Sequence, residues 1–277
     1  MTRLARRLRP VGVAVAAGVA AGLAAGGSVS TSRPAAPGHH PPSGARATRA
    51  PRCAACTLEG SSATNSRPLV LGLAGCTASG KSTLCDAIVK RQGGGAVAVV
   101  TLDDFWMEES RLPRLPDDWL ANNPNMARLK QHDTNIPESV DWAAAEEHIR
   151  EVIASATSSQ IIIIEGFLLF SQPQLIALLD RTIYLTVDDA EKEVLMMRKY
   201  RRSGHFGKPS YESRGITVEE YTRYWDECVI DRFQSYGSRR PPGTIDLPCT
   251  MATAEQVQRL AMEIPLPAPT HQLQSSD

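Results

Sequence analysis

Eight consecutive residues, Gly75-Cys76-Thr77-Ala78-Ser79-Gly80-Lys81-Ser82, satisfy the spacing G-x-x-x-x-G-K-S. Glycines at both ends let successive backbone N–H groups turn toward one point, and a helix start adds partial positive charge there. A phosphate chain is what such a loop holds. Lys81 is placed to reach the β- and γ-phosphates, and the Ser82 hydroxyl to ligate Mg²⁺. The residues expected around ATP are therefore Gly75, Thr77, Ala78, Ser79, Gly80, Lys81, Ser82 and Thr83. A glycine-rich turn without a ligand is the bland alternative. Context argues against it, because an apolar run (69–74) leads in and a helix-forming run (82–91) leads out.

Two further acidic positions follow apolar runs. Asp103-Asp104-Phe105 closes one at 96–102, and Glu165 closes Ile161-Ile162-Ile163-Ile164. In doubly wound sheets, ligands bind beyond the carboxyl ends of the strands. The phosphate loop, Asp103 and Glu165 are thus expected to converge. Such a trio suits transfer of the γ-phosphoryl group to a small alcohol. Asp103 can take the hydroxyl proton and help hold Mg²⁺ through water, and Glu165 can orient metal-bound water or substrate. Asp103-Asp104 could instead be a solvated strand-end turn, and Glu165 a helix-capping carboxylate. The base-reading N-K-x-D and the D-x-x-G of a GTPase switch are absent from the sequence, as is an apolar strand ending in Asp-Glu.

These groups need a scaffold, and the chain alternates strand and helix signals from 68 to 265. That alternation predicts an α/β fold: a doubly wound, parallel five-stranded sheet with helices on both faces and a small lid. Strands are expected at 69–74, 96–102, 160–165, 182–187 and 244–247. Helices are expected at 82–91, 139–156, 172–179, 189–202, 218–233 and 254–264. Gly93-Gly94-Gly95 stops the first helix. The four consecutive isoleucines mark a strand buried on both faces. Residues 109–135, rich in proline and asparagine, form a loop too long to be a mere connector, which suggests function.

Composition separates the ends from this core. Residues 1–58 hold eight arginines, no lysine and no acid, so the remainder carries 22 basic against 30 acidic residues, or −8. An acidic domain lacks the electrostatic footprint of a nucleic-acid binder, and no membrane partner is expected for it. The leader (1–67) reads as an organellar transit peptide, mitochondrial or plastid. A secretory signal, a cytoplasmic protein with a mis-assigned start, or an unfolded arm are the alternatives. Cys53-Ala-Ala-Cys56 has no second pair to complete a zinc site. Cys76 in the phosphate loop is read as a small buried residue rather than an oxidation-sensitive one. The tail (266–277) is expected to be disordered.

The segments 75–83, Asp103-Asp104-Phe105, Ile162-Ile163-Ile164-Glu165-Gly166-Phe167-Leu168-Leu169-Phe170 and Ile183-Tyr184-Leu185-Thr186 resemble nicotinamide riboside kinases, which group with the uridine kinases. The resemblance spans most of 68–264 and weakens after Arg202. It implies phosphorylation of the 5′-hydroxyl of nicotinamide riboside by ATP with Mg²⁺, giving nicotinamide mononucleotide, with Asp103 as base and Asp104 and Phe105 beside the acceptor. Such kinases place an aromatic-Asp pair before a Pro-Glu stretch, the Asp gripping the ribose. Aligned without a gap, Asn135 falls at that Asp and Thr134 at the aromatic; with a two-residue insertion, the preferred reading, His132 and Asp133 take those places. Both could also merely cap the helix that follows. The resemblance further implies an Arg-x-x-Arg after the fourth strand. Arg198 and Arg201 supply the spacing, for substrate and for ATP respectively, although a basic helix end is expected on dipole grounds alone. Phe206 or Tyr211 would be the second base-stacking aromatic. The adenine pocket is expected near Cys249-Thr250-Met251, with Thr250 in contact. The rival readings are a uridine/cytidine kinase, another small-molecule kinase, and a nucleotide-binding regulator without catalysis.

Overall fold

The computed structural model describes residues 67–202 and 209–264. The expectations for the leader, Cys53 and Cys56, Phe206, the 203–208 part of the lid and the tail fall on residues outside that set.

Five strands form one parallel sheet: β1 (Leu69–Gly75), β2 (Val97–Thr101), β3 (Ile161–Gly166), β4 (Arg181–Thr186) and β5 (Ile245–Pro248), in the order β2-β3-β1-β4-β5. Order and direction fit the expected doubly wound α/β fold. The phosphate-loop strand β1 lies at the centre. Side chains alternate across a strand, and the alternation builds two cores. Leu71, Leu73, Ile161, Ile163, Ile183 and Leu185 face α1 (Lys81–Gln92), while Val70, Ala74, Ile162, Ile164 and Tyr184 face the other layer. All four isoleucines of β3 are fully buried. Each contributes about 1.5–3 kcal/mol relative to an exposed position.

The stretch 109–135 is not an unstructured loop. It carries two short helices, α2 (Asp117–Asn122) and α3 (Pro124–Ala127). Its ends are drawn together, since Leu115 N–H donates to the Gln131 carbonyl and Asp133 N–H to that of Pro113. Proline at the first position of α3 suits a helix start, a signal that the density of prolines concealed.

The next helix, α4 (Trp142–Ser155), begins three residues later than its sequence suggested. Residues 139–141 spend their backbone groups on the turn after β2: Met107 N–H donates to the Ser139 carbonyl and Asp141 N–H to that of Phe105. Asp141 then caps α4 by accepting from Ala144 N–H at 3.1 Å. The chain continues through α5 (Pro173–Ile176), α6 (Asp189–Arg201), α7 (Val218–Tyr224) and α8 (Thr253–Glu263). Both α6 and α7 open with reciprocal capping boxes, Asp188 with Glu191 and Thr217 with Glu220. The expected helix at 218–233 stays α-helical only to Tyr224, then widens into π-helical turns over Trp225–Ile230 and Phe233–Gly237. Among the described residues no helix is long and apolar enough to cross a membrane.

Candidate active site

The phosphate loop bridges β1 and α1, and its backbone is unusual. Gly75 has φ +152°, Gly80 has φ +102°, and Ala78, at +64°, is the only non-glycine with positive φ among the described residues. A Cβ at Gly75 would lie 3.0 Å from the Leu185 carbonyl oxygen and 3.1 Å from Ser79 Oγ. Glycine there is therefore a steric requirement as well as a conformational one. Holding Ala78 in the left-handed region costs of order 1 kcal/mol and persists because its surroundings demand it. Lys81 Nζ donates to the Gly75 and Cys76 carbonyls, both at 3.0 Å, so its ammonium curls back over the loop. Ser79 Oγ is buried with no hydrogen-bond partner. Thr77 and Gly80 complete the turn, and Thr83 is exposed on the first turn of α1. Burial pushes the Cys76 thiol up to about 11, so the thiolate is absent at neutral pH.

Glu165 ends β3 next to this loop and is only 4 % exposed. Its Oε1 accepts from Ser82 Oγ at 2.9 Å and from Thr101 Oγ1 at 3.2 Å. A serine hydroxyl and a carboxylate oxygen in contact are the hard donors that Mg²⁺ prefers, and Mg²⁺ is commonly held by one or two protein groups plus waters and phosphates. Among the described residues no group of three or more His, Cys, Asp or Glu side chains could form an all-protein metal cage. The donor set therefore fits a nucleotide-borne Mg²⁺. A Cβ on Gly166 would come within 2.6 Å of Leu102, so the glycine lets β3 pass close beneath the turn carrying Asp103.

Asp103 and Asp104 are exposed in a single 3-10 turn directly after β2, while Phe105 is 1 % exposed and packs against His148, ring centroids 5.6 Å apart. The β2–β3 register pairs Thr101 with Glu165, which brings Asp103 to the same end of the sheet as Glu165 and Ser82. Loop, Asp103 and Glu165 thus lie at the carboxyl ends of the neighbouring strands β1, β2 and β3.

Arg198 and Arg201 occupy different surroundings. Arg198 Nη1 donates to the Ala78 carbonyl at 2.9 Å and so braces the strained point of the phosphate loop. Arg201 is exposed and lines an open groove along α6 with Glu193, Val194, Met197, Arg198 and Arg202. Lys199, between them, is half-buried where Arg198, Arg201 and Arg202 are exposed. Burial pushes its ammonium down to about 8, helped by Arg202, Lys130 and Lys81 and opposed by Asp103. Lys199-x-x-Arg202 has the same spacing as Arg198-x-x-Arg201, one residue on, so the sequence held the signal without the phase. Thr250 Oγ1 donates to Glu191 Oε1 at 2.6 Å, tying the turn after β5 to the start of α6.

On the acceptor side, Asp133 is 5 % exposed and both its oxygens are bonded within the protein. Oδ1 accepts from Asn135 N–H at 3.0 Å, and Oδ2 from Arg232 Nε at 3.0 Å. Asn135 Nδ2 donates to the Cys228 carbonyl at 3.0 Å, in the π-helical segment where a wider turn alters the usual ladder. His132 is half-buried, and its backbone bridges to Arg114. Neither Asp133 nor Asn135 caps α4, a role that Asp141 fills. Further bonds join the same two segments: Trp119 Nε1 to Glu227 Oε2, Asn125 Nδ2 to Glu220 Oε1, and Arg223 Nη1 to Asn123 Oδ1. Tyr211 packs on Tyr221, centroids 4.6 Å apart, with the Arg214 guanidinium 4.6 Å above its ring.

No family model matches the chain. It is 25% identical over 187 residues to a uridine kinase of Vibrio cholerae, an alignment covering 62% of this chain and 82% of that one. A uridine kinase of Ligilactobacillus salivarius is 24% identical over 180 residues, covering 61% and 75%. A sugar kinase from Janibacter sp. HTCC2649 (18% identity, 73% of this chain and 96% of the other) and the shikimate kinase of Bacteroides thetaiotaomicron (15%, 71% and 99%) both superpose with a TM-score of 0.39. Scores at that level do not equate folds, and the fold assignment stands on the sheet order and the phosphate loop of this chain. The uridine kinase relatives support a phosphate-loop kinase, a phosphotransferase that uses ATP and acts on a small molecule.

Proposed function

We propose that this protein transfers the γ-phosphoryl group of ATP to the 5′-hydroxyl of a nucleoside, and that the nucleoside is nicotinamide riboside. The observation that carries the reading is the meeting of Ser82, Glu165 and Asp103 at adjacent strand ends beside the phosphate loop. Asp103 accepts the hydroxyl proton as the 5′-oxygen attacks the γ-phosphorus. The bond from phosphorus to the bridging oxygen breaks, and ADP leaves with that electron pair. Lys81 swings from the loop carbonyls to the phosphates, while Lys199 and Arg202 add positive charge opposite Asp103. Ser82 and Glu165 would hold Mg²⁺, which neutralises phosphate charge when bound. Arg198 and Arg201 keep the roles of loop brace and groove wall, and Asp133 with Asn135 fixes the acceptor wall through Arg232 and Cys228.

For the base, support comes from the resemblance of 103–105 and 162–170 to nicotinamide riboside kinases, and from the exposed Asp103-Asp104 pair, whose charge suits a cationic pyridinium. A second reading, uridine as acceptor, is favoured by the names of the relatives. ADP release from the full chain with ATP–Mg²⁺ and a nucleoside panel tests both. Preferential turnover of nicotinamide riboside is the expected result. Preference for uridine or cytidine replaces the acceptor and keeps the mechanism, and tight ATP binding without turnover of any nucleoside overturns the kinase reading.

A further inference from the structure

Glu165 receives two hydroxyl hydrogen bonds on one oxygen, and only one of the donors belongs to the phosphate loop. The other, Thr101, is the last residue of β2 and stands directly across from Glu165 in the parallel register. Ser82 reaches the same Oε1 from the start of α1, beyond β1 on the other flank of β3. A carboxylate only 4 % exposed must be held by donors, because burying the charged group without them is costly. The terminal torsion of a glutamate is broad and close to two-fold. One hydroxyl would leave the carboxylate plane loose, whereas two donors converging from the two flanks of β3 fix it. Ser82 spends its single proton on Glu165, which turns both its lone pairs outward for a cation. Whether those lone pairs and Glu165 face the same point depends on the rotamer of Glu165.

We propose that Thr101 is a positioning residue for the cation carried by the nucleotide: its hydroxyl locks the Glu165 carboxylate so that Glu165 and Ser82 present their oxygens to Mg²⁺ together. The proposal rests on the Mg²⁺–ATP part of the function proposed above and is independent of which acceptor is used. A merely structural Thr101 would pack its methyl group at the strand end and influence nucleotide binding equally with and without metal.

Two substitutions separate these roles in the full chain. Thr101→Val keeps the shape and removes the hydroxyl; Thr101→Ser keeps the hydroxyl. ADP binding is measured by calorimetry in Mg²⁺ and in EDTA, and Mn²⁺ binding to the protein–ADP complex by electron paramagnetic resonance. Loss of an outer partner of a metal ligand typically costs about 10–100-fold in metal affinity. T101V is expected to lose the Mg²⁺-dependent gain in ADP affinity by about that factor, with metal-free binding unchanged and T101S close to wild type. Should T101V not fold, Thr101→Ala carries the same comparison. Wild-type metal dependence in the valine variant, equal losses in Mg²⁺ and EDTA, or a serine variant as impaired as valine would each overturn the proposal. No acceptor is present in these measurements, so failure of the nicotinamide riboside reading leaves their outcome unaffected.

Discussion

The phosphate-loop half and the acceptor half of this molecule are built on different principles. Within the phosphate loop itself the contacts are local, Lys81 bonding to Gly75 and Cys76 in a turn at the end of a buried strand, and Glu165 and Arg198 join it from 83 and 120 positions away. Around Asp133 a set of side-chain bonds joins residues about a hundred positions apart: Asp133 to Arg232, Asn135 to Cys228, Asn125 to Glu220, Trp119 to Glu227. The turn that cradles phosphate is specified by neighbours in sequence, and the acceptor side by polar bonds between distant segments. Catalysis should therefore be lost through point changes in the first half, while substrate choice and stability should respond to the second.

The largest expected effect tests the catalytic half. Asp103→Asn removes the proposed base while keeping shape, and a general base contributes about 10²–10⁴-fold to rate. Single-turnover assays should show that loss in kcat with ATP binding, followed by calorimetry, unchanged. A near-wild-type rate would remove Asp103 from the mechanism. The next effect probes the other half. Asp133→Ala leaves the partly buried Arg232 with only the exposed Asp231 as carboxylate partner, so the loss should fall below the roughly 3–5 kcal/mol of breaking a fully buried pair. The urea midpoint should fall, and the double change with Arg232→Met should recover much of it. If stability is unchanged and only the acceptor KM rises, Asp133 is a ribose ligand and the contrast between the halves is overdrawn.

Lys199 sits where the two halves meet and gives the smallest effect. Its folded pKa is lowered from 10.5 to about 8, so its charge is present below pH 8 and lost above it. Nucleotide affinity should therefore decline as pH rises through about 8, and Lys199→Met should abolish that part of the pH profile. The stability consequence has the opposite sign. The unfolded chain binds more protons than the folded one between about pH 8 and 10.5, so stability attributable to this group rises with pH across that window. Thermal unfolding of wild type and Lys199→Met without nucleotide checks it, the variant being more stable at neutral pH and the difference fading as the window is crossed.

How far the sequence could be read follows from the same contrast. The strands were legible because buried parallel strands are written as continuous apolar runs, and β3 with its four isoleucines was the clearest. The helix ends were less so. Ser139 could not show that its own carbonyl serves Met107 N–H, which delays α4 until Asp141 can cap it. The π-helical turns after Tyr224 carry no composition signal at all, and they matter because the Cys228 carbonyl takes Asn135. Asp133, the preferred ribose residue, and Asn135 are both used within the protein, each by a different part of the 224–232 segment.

By itself the sequence determined the phosphate loop, the buried strands and the identities of Lys81, Ser82, Asp103 and Glu165, because each depends on residue type and short spacing. Only the tertiary structure decided which basic residue of the α6 end meets the backbone of the phosphate loop. The helix turns about 100° per residue, so Arg198 braces Ala78 while Lys199, one position on, is turned to a half-buried face. It also decided that Thr101 stands across from Glu165, a matter of strand register between segments sixty-four residues apart. Register and helix phase are set by the packing of whole elements, and no local run of residues encodes them.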